Sequence, residues 1–239
     1  MTARVLDGVG SVLFAHAHPD DETLATGVLI AELGARGIAC HLVTATRGEA
    51  GEVVPGSSYA QQGSAELEIV RDRELAGAVQ ALGLSSRQWL GTPPARAAGR
   101  EPRRYRDSGM QWIRPGLAGP ADTSDRTSFT AADPEEPAAD LVALIEHLGV
   151  DLVVSYAADG GYGHPDHVRM HEVAVAAAGV TGVPFAEVVD EQGPGVEWYD
   201  LPGRLPAVTE ALQCHATQLT VDGTDVVHVG GQREPILTA

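Results

Sequence analysis

"SVLFAHAHPDDETL", residues 11–24, decides how this chain is read. Its first residues form an apolar run suited to a buried strand, and the remainder crowds His16, His18, Asp20, Asp21 and Glu22 against that strand's end. Charges beside a buried strand are costly unless they are paired or held by a metal. Outward from this stretch, residues 24–37 (LATGVLIAELGARG) place apolar side chains at helical intervals and stop at Gly37. Residues 38–46 (IACHLVTAT) are apolar and β-branched, so the first 46 residues read strand, helix, strand.

The same rhythm continues. Residues 64–83 form a predicted helix with Ser64 as N-cap and Glu66 and Glu68 in its first turns, followed by a short strand at RQWL. From 92 to 133 the chain is rich in Pro, Gly, Arg and Asp and reads as one long loop that could cover a pocket. Helix 135–149, strand 151–156, a Gly-rich turn, helix 164–179 and strand 183–189 follow. The tail, 205–230, reads as a short helix and a hairpin around Asp222-Gly223. Alternating strands and helices predict an α/β fold, one domain over residues 1–239, with a mostly parallel sheet covered on both faces.

The 16 Lys+Arg against 33 Asp+Glu give a formal charge of −17, which disfavours nucleic acid and anionic membrane surfaces as partners. No window reaches the roughly 18 apolar residues of a membrane span, and the first residues lack the pattern of a secretory leader. A cytoplasmic protein is expected. Cys40 and Cys214 stand alone and read as free structural thiols. Self-association into a homo-oligomer is left open by the sequence.

In open α/β sheets, reactive groups gather beyond the carboxyl ends of the strands. Two stretches occupy such places, HAHPDDE (16–22) and DGGYGHPDH (159–167), each with a His-Pro-Asp core between a strand and a helix. A catalytic zinc needs three N or O ligands and an open position for water, and His18, Asp21 and His167 supply such a set. Asp20, beside Asp21, is the candidate general base. His164 is the candidate for a charged donor to an oxyanion or for the acid to a leaving amine, and Tyr162 could add a second hydrogen bond. Alone, HPDDE also reads as a helix N-cap cluster, in which Asp20 or Asp21 caps and Glu22 meets the dipole. The second motif tips the balance toward a metal. His171 lies four residues after His167 but lacks the Glu of HExxH and reads as packing.

The AHPDDE run at 17–22 and HPDH at 164–167 resemble the LmbE/PIG-L family of zinc-dependent N-deacetylases. The resemblance implies a Rossmann-like sheet, one zinc per chain on His18, Asp21 and His167, and Asp20 as base. Fe2+ or Co2+ would also suit such donors. TRGEAGE (46–52), RDREL (71–75), RYRDSGM (104–110) and HATQLTV (215–221) narrow the likeness to the branch of the family that deacetylates N-acetylglucosaminyl-inositol in mycothiol biosynthesis. Carried over position by position, it implies that Glu49, Arg71 and Asp107 bind sugar or inositol hydroxyls. Arg71 with Glu74 also reads as an exposed helix ion pair. The stretch 172–197 is shorter than in that branch, which would open the pocket.

The expected activity is hydrolysis of the acetyl group from a small acetamido-sugar conjugate, giving acetate and a free amine. The rival is amidase action on a mycothiol S-conjugate or a glycosylated secondary metabolite. More distant are a metal-dependent sugar-nucleotide transferase, disfavoured by two His-containing strand ends and the lack of a G-x-x-x-x-G-K-[ST] loop, and a non-catalytic binding module, disfavoured by Asp20.

Overall fold

In the computed structural model, which describes residues 4–58, 60–121 and 125–239, the run Ser11–His16 forms strand β1. Side chains along a strand point alternately to its two faces. Val12 and Phe14 therefore enter one apolar cluster, and Leu13 and Ala15 enter another on the opposite face. A strand buried on both sides needs apolar residues at every position, which is why the run does not alternate with polar ones.

After β1 come α1 (Asp21–Leu24), α2 (Gly27–Ala35), β2 (Ala39–Thr44), α3 (Ala65–Leu82) and β3 (Ser86–Trp89). The middle of the chain holds β4 (Met110–Arg114), β5 (Leu117–Pro120), α4 (Glu135–Leu148), β6 (Leu152–Tyr156), α5 (Gly160–Gly163), α6 (Pro165–Thr181) and β7 (Phe185–Val188). It closes with α7 (Leu205–Cys214), β8 (Leu219–Asp222), β9 (Asp225–His228) and β10 (Arg233–Pro235). Strands β3-β2-β1-β6-β7 pair in that order, all parallel. Ile30 and Leu33 of α2, Leu75 of α3 and Leu212 of α7 pack on one face, and Leu141 and Leu144 of α4 with Met170 and Val173 of α6 pack on the other. The expected α/β sheet with helices on both faces is present.

From β1 the chain winds outward through β2 and β3, then returns to the other side of β1 to form β6 and β7. The order thus reverses between β1 and β6, and the crevice beyond their carboxyl ends is where open α/β sheets place ligands. HAHPDDE leaves β1 and DGGYGHPDH leaves β6 at this one place.

Three expectations are corrected. The helix expected over 24–37 begins only at Gly27, as α2, because the chain breaks from the preceding turn α1 at Thr26 (φ −132°, ψ 2°). The Thr26 hydroxyl donates to the Glu22 carbonyl and pairs with His16 Nε2 at 2.9 Å, side-chain bonding that competes with a continuous helix. The long loop expected at 92–133, of which 122–124 lie outside the described residues, carries the β4–β5 hairpin and a 3-10 turn at Phe129–Ala131. Buried Tyr105 and Phe129 meet edge to face at 5.5 Å, and the Tyr105 hydroxyl donates to Asp140 of α4, which pins the segment. The tail's expected hairpin forms between β8 and β9, but β10 adds a third strand. Among the described residues, no helix is long and apolar enough to cross a membrane.

Both thiols are free. Cys40 lies buried in β2, and that burial pushes its thiol up to about 11, so it stays protonated and unreactive at ordinary pH. Cys214 is partly exposed at the end of α7. At pH 8 an aromatic disulfide reagent should modify Cys214 and spare Cys40 until denaturant is added. Two fast-reacting thiols in the native protein would contradict this packing of β2.

Candidate active site

The Tyr156 hydroxyl, at the end of β6, accepts from the Ala17 amide (2.8 Å) just past β1 and donates to Asp21 Oδ2 (2.6 Å). Asp21 Oδ2 also accepts from the His18 amide at 2.8 Å. So held, Asp21 presents Oδ2 at 3.2 Å from His18 Nδ1 and Oδ1 at 3.3 Å from His167 Nε2. His18 Nδ1 and His167 Nε2 are themselves 3.3 Å apart. The Tyr156 ring stacks on that of His167, with centroids 4.2 Å apart and planes 8° from parallel. All of these side chains are buried.

The outer ring nitrogens show which atoms hold protons. His18 Nε2 lies 3.2 Å from Asp166 Oδ2, and His167 Nδ1 lies 3.2 Å from the Gly160 carbonyl. Both partners can only accept, so each outer nitrogen donates and each inner nitrogen offers a lone pair. With both rings neutral, two lone pairs and a carboxylate face one another, a set that calls for positive charge, either a metal cation or, in its absence, a second proton on His18. Tetrahedral zinc, with bonds of about 2.1 Å, separates its ligands by about 3.4 Å. The spacing of the two nitrogens fits a small dication of the zinc type, and His18 and His167, with Asp21 facing each through a different oxygen, would hold it.

Ligand-type atoms of His18, His164 and His167 lie within 4.8 Å of one another, as do those of His18, Asp107 and Asp166. The second group is already satisfied. Asp166 accepts from the Ser108 amide and hydroxyl, and Asp107 accepts from the Ala50 and Gly109 amides. Burial works against a charged His18, but the carboxylates of Asp107, Asp166 and Asp21 overcome it and raise its pKa well above the ordinary value when no cation is bound.

His164 caps α6 with Nδ1, which accepts from the Asp166 amide at 3.1 Å, while Pro165 starts the helix. Only Nε2 can then carry its proton. Burial, with His18 and His167 alongside, lowers its pKa to about 2. The charged donor expected from the sequence is thus a neutral imidazole with one N–H. Tyr162, on α5, lies at the mouth with its ring 5.2 Å from that of His167 and 6.1 Å from that of His164.

Of the residues expected at a sugar, Glu49 is buried, accepts from the Arg47 amide and lies 3.4 Å from Arg106 Nε. Asp107 Oδ1 is 3.7 Å from His18 Nε2, so it borders the ligand set. Arg71 differs from both of its readings. It is buried, neither an open fork of donors nor an exposed partner of Glu74, because its guanidinium donates to the carbonyls of Gly48 and Glu52. Glu74 instead accepts from the amide and hydroxyl of Thr217. His171 bonds the Tyr156 carbonyl, away from the ligand set.

Sequence reading missed Asp166, Tyr156, Ser108 and the buried pair of Glu22 with His215. Asp166 had a signal, since it is the Asp of the second His-Pro-Asp core. Tyr156 and Ser108 had none, because their roles depend on which strand and loop ends adjoin.

Asp20 occupies the N-cap position of α1, yet its carboxylate makes no capping bond, so the plain N-cap reading fails. Its backbone is the only non-glycine one with positive φ among the described residues, at φ 106° and ψ −31°. The amide donates to Glu22 Oε2 at 3.0 Å, and the carbonyl accepts from Thr23 and Leu24. Such backbone strain costs about 1–3 kcal/mol and persists only where surroundings enforce it. Burial, with the Asp21 charge beside it, pushes the Asp20 carboxyl up to about 7. Asp20→Gly should therefore be more stable than Asp20→Ala by about 1 kcal/mol in urea unfolding, because glycine adopts positive φ freely. Equal stability of the two would deny the strain.

Residues 13–178, which contain both His-Pro-Asp corners, match the family described as PIG-L: GlcNAc-PI de-N-acetylase. The 1D-myo-inositol 2-acetamido-2-deoxy-alpha-D-glucopyranoside deacetylase of Kineococcus radiotolerans is 36% identical over 264 residues, covering 91% of this chain and 71% of its own length. Deacetylase 1 of the same description from Saccharopolyspora erythraea is 37% identical, covering 87% and 77%. Among solved structures, N,N'-diacetylchitobiose deacetylase from Pyrococcus horikoshii shares the fold, with a TM-score of 0.58 at 20% identity over 86% of this chain and 71% of that one. By the match across both corners and along most of its length, this chain belongs to the PIG-L family.

Proposed function

We propose that this protein is a metal-dependent N-deacetylase that hydrolyses the acetamide of an N-acetylglucosaminyl-inositol-like conjugate, releasing acetate and the free amine. The observation that carries this reading is the meeting of His18, Asp21 and His167 beside the strained Asp20, in a chain whose relatives are described as deacetylases of that substrate. A bound dication of the zinc type would supply Lewis acidity for amide hydrolysis.

The chain's own residues do the rest. Asp20, ionised, accepts the proton of the attacking water, and that proton leaves with the amine. His164 Nε2–H donates to the oxygen that becomes negative as water adds to the acetyl carbon, and the Tyr162 hydroxyl adds a second donor. A neutral donor suits this task, since it need not lose a proton to act. Glu49 and Asp107 accept from sugar or inositol hydroxyls, while Arg71 holds the loop on which Glu49 sits. The short 172–197 stretch favours tolerance of bulkier acceptors.

Purified protein stripped by a chelator should lose acetate release from N-acetylglucosaminyl-inositol and regain it with zinc. Asp20→Asn should keep its metal and lose about 10²–10⁴-fold in kcat. His167→Ala should lose the metal. Because the Asp20 pKa is raised, its basic form disappears as pH falls through about 7, so kcat/KM declines on the acid side. A bound cation would move that midpoint lower. A metal-replete protein that turns over no acetamide, including longer acyl conjugates, defeats the assignment.

A further inference from the structure

The family match ends at residue 178, and nothing in it assigns a role to the His215-Ala216-Thr217-Gln218 turn between α7 and β8. That turn nevertheless reaches the floor of the site. His215 is fully buried, and its Nε2 lies 2.8 Å from Glu22 Oε1, across 193 positions of chain. Glu22 is fully buried as well, and its other oxygen, Oε2, accepts the Asp20 amide. One carboxylate thus joins the imidazole to the strained peptide that carries the base. The link does not depend on the protonation of Nδ1, which faces the Gln218 side chain at 3.2 Å. An ionised carboxylate can only accept, so Nε2 is the donor in either case.

Two neighbours in the same turn hold the other side of the site. Thr217 gives its amide and hydroxyl to Glu74, its hydroxyl lies 3.4 Å from Arg71 Nε, and its carbonyl accepts from Val54. Arg71 then fixes the Gly48 and Glu52 carbonyls. Both segments carrying the proposed chemistry, the Asp20 turn and the Glu49 loop, are thus tied to four consecutive residues near the chain's end.

We infer that His215 is a positioning residue: through Glu22 it holds the Asp20 peptide in the strained conformation that aims the base. This rests on Asp20 being the base only for its effect on rate; the mechanical link is independent of that. A buried polar pair of purely structural importance would lower stability without regard to Asp20 and would not separate kcat from KM.

The experiment has two arms on the full-length protein. In urea unfolding, His215→Ala should lower the midpoint less in the wild-type background than beside Asp20→Gly, because loss of the link lets Asp20 relax and recover part of its strain, whereas glycine has no strain to release. Additive shifts would overturn the inference, whether or not the protein is a deacetylase. In the assay, His215→Ala should reduce kcat about 10- to 100-fold at unchanged KM, with zinc content equal to wild type. His215→Gln, whose amide can still donate to Glu22, should recover most of that loss. If His215→Ala does not fold, His215→Gln and Glu22→Gln serve in both arms, with Glu22→Gln the more damaging. Equal loss in the Ala and Gln variants, or a loss of metal in step with rate, would also overturn it. An inactive wild type would overturn the proposed function and leave the unfolding cycle to decide the positioning role.

Discussion

The hydroxyl of Tyr156 ties the ends of β1 and β6 together, and the site depends on that link. It accepts from the Ala17 amide and donates to Asp21, so one oxygen sets both the separation of the two strand ends and the direction of a carboxylate. With Asp21 aimed, the inner nitrogens of His18 and His167 fall into place around it. Their outer nitrogens are anchored on Asp166 and Gly160, which turns each inner nitrogen toward Asp21. Removing water from such a set is unfavourable unless a cation replaces it. That cost is the physical reason why the cluster suits a metal.

A second constraint acts on the same turn. Asp20 is held with positive φ between the Glu22 carboxylate and the first amides of α1. An aspartate at the start of a helix ordinarily turns its carboxylate onto the helix amides. Here the side chain makes no such bond, and Glu22 folds back in its place. The neighbouring Asp21 faces the two imidazoles, so adjacent carboxylates have separate surroundings. Burial raises Asp20, while at Asp21 the pairing with His167 and His18 overcomes the same burial and holds it well below the usual range.

Much of the fold was legible from local pattern. The all-apolar run of β1, the Ser64 cap and Gly83 stop of α3, and the hairpin at Asp222-Gly223 all follow from residues adjacent in sequence. What escaped was decided by distant partners. Thr26 breaks a helix because His16 is beside it in space, and the described part of 92–133 takes up structure because Tyr105 and Phe129 find the face of α4 and α6. Arg71 looked like an open sugar-binding fork because its sequence neighbours do not disclose the Gly48–Glu52 carbonyls above it.

By itself the sequence determined the class of fold and the residue types of the candidate metal site, because strand periodicity and two His-Pro-Asp corners are local properties. Only the tertiary structure decided that the corners meet, since that depends on β6 returning beside β1 rather than beyond β3. It also decided the state of each group: which imidazole nitrogen is anchored, that burial favours a neutral His164, and that Asp20 is strained. Those states come from burial and from hydrogen-bond partners that are far apart in the chain, such as His215 with Glu22, and no spacing along the sequence encodes them.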